Sequence, residues 1–155
     1  MNKFWHILEY IQNKMKIVGA ACLMAMVFLT CINVVGRFFN YPIFGTEEIV
    51  GFLAAFVIAM SLPYAHKEDA HIGVEILVRL FTAKTRSIIK LITNILSFIL
   101  FIFATWRIAV YAYTMRQTGE VSMNLQLPEY YVIYMLSLCF LIFSLFILKD
   151  ILNFF

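Results

Sequence analysis

Four long runs of apolar residues dominate this chain, at residues 17–36, 49–65, 88–113 and 130–148. An α-helix needs about 20 apolar residues to cross the roughly 30 Å of hydrocarbon in a bilayer. Charged residues bracket each run at spacings of about 25–32 Å along a helix; the brackets are Lys16 and Arg37, Glu48 and Lys67, Lys90 and Arg107, and Glu129 and Lys149. The pattern predicts an all-α integral membrane protein with four transmembrane helices, folded as one membrane domain over residues 1–155.

Two further segments have an amphipathic pattern. Near the N-terminus, apolar residues between positions 4 and 15 share one helical face, opposite Glu9, Gln12 and Asn13. In the second connection, polar residues recur at helical spacing between residues 72 and 86. We expect this second segment to form an amphipathic helix in the membrane interface. For the first segment, an interfacial helix and a simple extension of the first span are both open.

Composition supports a bilayer environment. Hydrophobic residues make up 63% of the 155 residues and charged residues only 14%, against roughly 25% charged in a typical soluble domain. The net charge of +3 does not indicate nucleic-acid binding, because the basic residues flank apolar runs instead of lining a soluble face. Cys22, Cys31 and Cys139 lie inside apolar runs and form no C-x-x-C pair, so no disulfide framework or thiol redox motif is predicted.

The distribution of Lys and Arg predicts the orientation, because basic residues are enriched on the cytoplasmic side of membrane proteins. Arg37, Arg107 and Arg116 fall on one side of the four predicted spans. All the others fall on the opposite side: Lys3, Lys14, Lys16, Lys67, Arg79, Lys84, Arg86, Lys90 and Lys149. Both termini are therefore expected in the cytoplasm. The first apolar run is too long for a typical signal peptide and no A-x-A-like site follows it, so no cleavage is expected.

The connection between the first two spans contains a helix start. Thr46 is a typical N-cap residue, and the acids Glu47 and Glu48 are favoured near the positive end of the helix dipole. Asn33 and Arg37 share a face at the end of the first span, and only a short connection separates Arg37 from the two acids. We expect Arg37 to pair with Glu48 or Glu47 and to fix the first two helices; separate solvated charges are the alternative.

Small residues recur every four positions along the second predicted span, at Gly51, Ala55 and Ala59. Strips of small side chains allow helices to approach closely in lipid. The strip therefore predicts a docking face, either within the bundle or for a partner, and the sequence leaves these two alternatives open. Pro63, near the cytoplasmic end of the same span, is expected to bend the helix.

No predicted span has an ionisable residue near its centre. Such residues are costly in a membrane and usually mark an ion or substrate path. Asn33 and Asn94 are polar but lie nearer the ends of their spans. Arg107 lies about 25 Å along the helix from Lys90, so its side chain is expected to snorkel to the interface. The chain is therefore not expected to contain the translocation path.

The sequence offers no enzymatic or cofactor chemistry. His6, His66 and His71 lie outside the spans, so no facing pair can ligate a membrane haem. Although His66, Glu68, Asp69 and His71 fall close together, a solvated polar turn explains them better than a metal site. Common hydrolase, metalloprotease and phosphate-loop motifs do not occur. We predict a non-enzyme with no catalytic, cofactor-binding or metal-binding residues.

Between residues 33 and 75 the chain has an ordered set of motifs: Asn33, Val34, Arg37, Phe38, Glu47, Glu48, His71, Ile72, Val74 and Glu75. This order resembles the small membrane subunit (Q subunit, DctQ-like) of tripartite ATP-independent periplasmic (TRAP) transporters. The family pattern is roughly N-V-x-x-R-(F/Y)-x-F, an aromatic residue and a Glu pair, a long apolar helix, and H-I-x-V-(D/E). Where the family often has Trp before the Glu pair, this chain has Phe44-Gly45-Thr46.

The resemblance implies a place in a three-part, sodium-driven uptake system of the bacterial inner membrane. A periplasmic binding protein would capture an organic acid anion, such as a C4-dicarboxylate or a sialic acid. A large membrane subunit would transport it, with this chain as its scaffold, and residues 38–47 and 115–129 would face the binding protein. Structural or assembly roles are expected for Asn33, Arg37, Glu47, Glu48, Gly51, Ala55, His71 and Glu75.

Two other classes of function compete with this interpretation. An autonomous four-helix carrier acting as a homo-oligomer is disfavoured by the lack of ionisable residues at mid-membrane. A membrane redox or quinone enzyme is disfavoured by the positions of the His and Cys residues. Transport by the chain alone in liposomes would reveal the first, and a haem absorbance spectrum would reveal the second.

Overall fold

The computed structural model of this chain describes residues 2–67 and 83–154. They form four helices: α1 (Asn2–Phe38), α2 (Thr46–Lys67), α3 (Ala83–Thr118) and α4 (Tyr130–Phe154). All four are long and apolar enough to cross a membrane, which confirms the predicted helical class and the four candidate spans. The proposed interfacial helix lies largely outside the described residues, and residues 83–86 belong to α3.

Two of the helices extend well beyond their predicted spans. α1 has 37 residues and α3 has 36, which corresponds to about 55 Å each. α2 and α4 have only 22 and 25 residues. The N-terminal amphipathic segment is an extension of α1 and not a separate helix, because neither Gly nor Pro interrupts residues 2–18.

The helices contact one another in the order α1, α2, α4, α3. α1 runs antiparallel to α2, α2 runs parallel to α4, and α4 runs antiparallel to α3. α2 and α4 therefore have neighbours on two sides, whereas α1 and α3 each pack mainly on one helix. The core is concentrated on α4, which contributes Cys139, Phe143, Phe146 and Ile147. Ala59 of α2 packs with Met15 of α1 and Cys139 of α4.

Narrow seams connect the two outer helices to the others. Along both helices the least exposed positions repeat alternately every three and four residues: Leu8, Gln12, Met15, Gly19, Cys22, Met26, Leu29 and Asn33 on α1, and Leu91, Asn94, Phe98, Phe101, Thr105, Ile108, Ala112 and Met115 on α3. A 3.5-residue repeat is typical of a helix that packs along a single partner. The opposite faces of α1 and α3 are left exposed.

Candidate functional site

The residues singled out by the sequence converge where α1 joins α2 (residues 39–45) and α3 joins α4 (residues 119–129). We call this the loop end of the bundle. α1 stops here in a Schellman motif: Asn40 adopts a left-handed conformation (φ 61°), and the Tyr41 N–H donates to the Gly36 carbonyl at 2.8 Å. A Cβ at position 36 would lie 2.5 Å from the Tyr41 carbonyl oxygen, so the motif requires glycine there.

Asn33 holds the loop that follows. Its side chain is buried, and its Oδ1 accepts the backbone N–H of Ile43 at 3.0 Å. The Thr46 hydroxyl donates to the Ile43 carbonyl at 2.8 Å. Because that hydroxyl points back into the loop, the prediction of Thr46 as the N-cap is wrong: the Gly45 carbonyl accepts the first helical bond, from the N–H of Ile49 at 3.2 Å. Gly45 is thus the cap and Thr46 the first helical residue.

Arg37 pairs with the first of the two glutamates. Its Nη2 lies 3.1 Å from Oε1 of Glu47, and both side chains are largely exposed, at 59% and 83%. The pairing expected from the sequence is therefore formed, with Glu47 and not Glu48 as the partner. An exposed ion pair of this kind contributes little to stability on its own, although it does link the end of α1 to the start of α2.

Glu48 has a different role, because it connects the two loops. Its Oε1 accepts the backbone N–H of Asn124 at 2.7 Å, and its Oε2 accepts the backbone N–H of Leu125 at 3.0 Å. Hydrogen bonds to an ionised carboxylate are among the stronger ones in proteins. A single side chain at the start of α2 thus holds the loop between α3 and α4.

The loop held by Glu48 also has its own internal bonds. Ser122 is buried; its N–H donates to the Leu127 carbonyl at 2.9 Å, and its Oγ accepts the Leu127 N–H at 3.2 Å. Gln126, with φ of 52°, donates its N–H to the Ser122 carbonyl at 3.1 Å. The backbone of residues 122–127 is therefore closed on itself.

A close approach between the two loops completes the loop end. Gly45 has φ of 73°, and a Cβ at this position would lie 2.5–2.9 Å from three carbons of the Leu125 side chain. Glycine is required here both for the positive φ and for the space. Leu125 is thus held by two contacts: its side chain packs against Gly45, and its N–H donates to Glu48.

Large apolar side chains at the loop end are exposed. The most exposed of them are Phe38 (85%), Tyr41 (83%), Phe44 (71%) and Met123 (96%). Met123 directly precedes Asn124, whose N–H is bound by Glu48. Exposed apolar groups on a braced loop are typical of a surface that contacts lipid or another protein.

The structure divides the small-residue strip of α2 between two environments. Ala59 is 1% exposed and belongs to the core. Ala55 is half-buried, and Gly51 is exposed, with no neighbouring side chain or loop within 4 Å of the place a Cβ would occupy. The close approach of α1 to α2 occurs instead at Gly19, where a Cβ would lie 3.3 Å from Cβ of Met60.

At the opposite end, Gln12 is buried and does not lie on a polar face. Its Nε2 donates to the Pro63 carbonyl at 2.8 Å, and its side chain lies in the α1 seam. The amphipathic interpretation of the N-terminal segment placed it incorrectly, because the seam follows the 3.5-residue repeat with α2. Gln12 lies within the repeat Leu8, Gln12, Met15, and this spacing was the signal in the sequence that its side chain is buried.

Charged and aromatic side chains complete this end. Nε2 of His66 lies 3.1 Å from Oδ2 of Asp150, and the His66 ring meets the Phe143 ring edge-on at 5.7 Å. Nζ of Lys16 lies 3.9 Å from the centroid of the Tyr64 ring, within the range of a cation–π contact. These contacts tie α2 to α4 and to α1, respectively.

Some candidate residues lie outside the described residues: His71 and Glu75 of the assembly set, and Glu68 and Asp69 of the possible metal cluster. Within the ranges that the structure does describe, no group of three or more His, Cys, Asp or Glu side chains could hold a metal ion.

The network at the loop end contains residues that the sequence did not single out. Ser122, Asn124 and Leu125 were predicted only as part of a loop. Two of the bonds to Glu48 come from backbone N–H groups, which every non-proline residue has, so no side-chain pattern could have revealed them. The positive φ of Gly45 was likewise hidden within a helix-start motif.

These features define a small helical membrane protein whose polar residues brace its own ends. The chain belongs to the DctQ family: residues 26–155 match the model of the DctQ component of tripartite ATP-independent periplasmic transporters. The resemblance inferred from the motifs between residues 33 and 75 is thereby confirmed. This is a family of transporter components and not of enzymes. Neither a curated protein nor a solved structure matches the chain.

Proposed function

We propose that this chain is the accessory membrane subunit of a sodium-driven TRAP transporter and acts as a scaffold for its large transport subunit. The match to the DctQ component over residues 26–155 carries the proposal. The substrate class is an organic acid anion, of the C4-dicarboxylate or sialic-acid type, delivered by a periplasmic binding protein. The chain lies in the bacterial inner membrane. Both termini are in the cytoplasm, which is the orientation that the Lys and Arg distribution favours.

The placement of charge supports a scaffold role over a transport path. In α1, α2 and α4, charged residues lie near the ends of the candidate spans and the middle is apolar; in the candidate span of α3, the only charged residue away from the ends is Arg107. The polar contacts of Asn33, Glu48 and Gln12 are made within the chain. A transport path would instead present polar groups toward a cavity at mid-membrane.

The loop end offers a surface to a partner in the periplasm. Glu48 and Gly45 fix the relative position of residues 39–45 and 119–129, and the exposed side chains of Tyr41, Phe44 and Met123 surround them. A preorganised surface loses less conformational entropy on binding. We assign contact with the binding protein to these two loops.

The test is purification of the tagged chain from its native membrane in a mild detergent, followed by the mass of the intact complex. We expect a larger polytopic subunit in stoichiometric amount. Recovery of the chain alone or as a homodimer would contradict the proposal and favour the autonomous four-helix carrier. Anion uptake by liposomes that contain this chain alone would then establish that the chain is an autonomous carrier.

A further inference from the structure

The two outer helices each leave one face uncovered by the rest of the chain. On α3 this face includes Leu96, Leu100, Phe103 and Tyr111, which are 55–66% exposed. On α1 the corresponding face includes Phe28, which is 61% exposed. In a membrane either face can contact lipid or a protein helix, since lipid tails are as apolar as these side chains. Apolarity alone therefore does not identify the neighbour.

One residue distinguishes the two faces. Arg107 lies four residues after Phe103 and four before Tyr111, so it shares their face of α3, and it is exposed. We call Leu96, Leu100, Phe103, Arg107 and Tyr111 the α3 outer face. Among the side chains that the structure describes, none forms an ion pair with Arg107. By contrast, α1 has no charged residue between positions 16 and 37.

The contact between α3 and α4 gives the depth of Arg107. The Ser137 hydroxyl donates to the Thr105 carbonyl at 3.1 Å, so these two residues lie at the same level. Ser137 is about 10 Å along α4 from Tyr130, and Arg107 lies about 3 Å nearer that end than Thr105. Its backbone is therefore about 7 Å inside the level at which α4 begins.

The direction of the helix makes this position less favourable for an isolated charge. Cα–Cβ bonds tilt toward the N-terminus of a helix, and the N-terminus of α3 is at the far end. The Cα–Cβ bond of Arg107 therefore points toward the membrane interior, which works against the snorkelling to the interface expected from the sequence. A guanidinium facing acyl chains has no acceptor for its five N–H groups, and such positions are costly and usually functional.

We propose that the α3 outer face is the surface on which the large membrane subunit packs, and that Arg107 donates hydrogen bonds to a carboxylate on a membrane helix of that subunit. This inference rests on the proposed function and adds the face and the chemistry of the contact. Arg binds carboxylates through two parallel N–H···O bonds. Phe103 and Tyr111 flank it and exclude lipid and water, the arrangement found around strongly contributing interface residues. The uncharged outward face of α1 is assigned to lipid.

Site-specific photo-cross-linking tests the contact directly. Phe103 and Phe28 are a matched pair, because they are the same residue type with exposed fractions of 60% and 61%. Each is replaced in turn by benzoylphenylalanine in cells that contain the whole transport system. We expect an adduct with the large subunit from position 103 and none from position 28. An adduct from position 28 alone, or only lipid or a second copy of this chain at position 103, would overturn the proposal.

Substitution of the arginine tests the chemistry. We expect Arg107→Leu to reduce the large subunit recovered with the tagged chain by about tenfold or more, the effect of losing one strong contact. Arg107→Lys should retain part of the recovery, because the charge remains but the two-bond geometry is lost. Unchanged recovery of a folded Arg107→Leu variant would contradict the carboxylate contact.

Experiments on the wild-type chain distinguish a failure of the proposed function from a failure of the docking face. If wild-type chain is recovered with no large subunit, the proposed function and the docking face both fail. If the wild-type complex is intact but position 103 gives no adduct with the large subunit, only the docking face fails. Expression level and the elution volume of each variant in detergent establish that it is folded.

Discussion

The carboxylate of Glu48 is bound to the backbone of Asn124, 76 residues away in the sequence, at 2.7 Å. Together with the bond from the Leu125 N–H, this contact joins the α1–α2 half of the chain to the loop between α3 and α4. The neighbouring Glu47 pairs locally with Arg37 across only 10 positions. Two adjacent glutamates thus have different tasks, one bracing the fold and the other forming a surface ion pair.

The first prediction compares these two residues. Glu48→Ala removes the acceptors of two backbone N–H groups, so the loop of residues 119–129 should open more often. Amide hydrogen exchange at Asn124 and Leu125 should accelerate by about tenfold or more. Glu47→Ala, the matched control, should leave exchange at both amides unchanged.

Glu48→Gln provides a second comparison for the same site. The amide keeps one acceptor oxygen but loses the charge, so exchange at Asn124 and Leu125 should be intermediate between wild type and Glu48→Ala. If Glu47→Ala and Glu48→Ala had equal effects on these amides, the bracing role of Glu48 would be wrong.

Two glycines with similar backbones allow the contact between the loops to be isolated. Gly45 and Gly119 have φ of 73° and 69°, but only Gly45 has neighbours in the space of a Cβ. Alanine at either position incurs the left-handed backbone cost of about 1–2 kcal/mol. Gly45→Ala should lose about 1–3 kcal/mol more, because it forces the Leu125 side chain aside. Thermal unfolding in detergent measures both.

The cause of that additional loss can be checked in a double variant. Since the atoms near a Cβ at position 45 belong to the Leu125 side chain, Leu125→Ala should relieve the overlap. Gly45→Ala should therefore cost less in the Leu125→Ala background than in the wild type. If the losses of the two single variants simply add in the double variant, the overlap is relieved by movement of atoms other than the Leu125 side chain.

The third prediction concerns the buried amide at the opposite end. Gln12→Leu keeps the side chain's size but removes the donor to the Pro63 carbonyl, which lies at 2.8 Å in a buried environment. The loss in unfolding free energy should be about 1–3 kcal/mol. Asn13→Leu, at the exposed neighbouring position, should change stability by about 0.5 kcal/mol or less. Equal effects of the two substitutions would contradict a structural role for Gln12.

The fourth prediction is a double-mutant cycle on Arg37 and Glu47. Their side chains are 59% and 83% exposed, so the coupling energy should be small, about 0.2–1 kcal/mol, and should decrease with added salt. Arg37 and Glu48 should show no coupling, because Glu48 is bound to the other loop. Strong coupling of Arg37 to Glu48 would contradict the observed division of roles.

Sequence patterns predicted the helices well and the contacts between them only in part. Four apolar runs of membrane-spanning length leave few alternatives to four helices, and the proximity of Arg37 to the glutamate pair follows from a short connection. The choice between Glu47 and Glu48 does not follow, because it depends on where residues 122–127 lie. That position is set by tertiary packing and by backbone N–H groups, which have no sequence signature.

Thr46 and Gln12 illustrate why local rules failed. Threonine is a common N-cap residue, but the Thr46 hydroxyl donates to the Ile43 carbonyl, and Gly45 is the N-cap of the helix. Gln12 appears polar and solvent-facing on a 3.6-residue helical projection. Packing against α2 selects the 3.5-residue seam instead and buries it. In both cases a contact with another segment overrode the local preference.

The last prediction separates the two environments of the small-residue strip on α2. Ala59→Leu inserts three carbons between Met15 and Cys139, where Ala59 is 1% exposed, and should lower the unfolding free energy by about 1–3 kcal/mol. Gly51→Leu enters open space and should stabilise the helix by up to about 1 kcal/mol, since Gly is a poor helix former. Thermal unfolding of the isolated chain measures both. Because docking is assigned to α3, Gly51→Leu should also retain the large subunit on purification; its loss from a folded variant would show that α2 contributes to the interface as well.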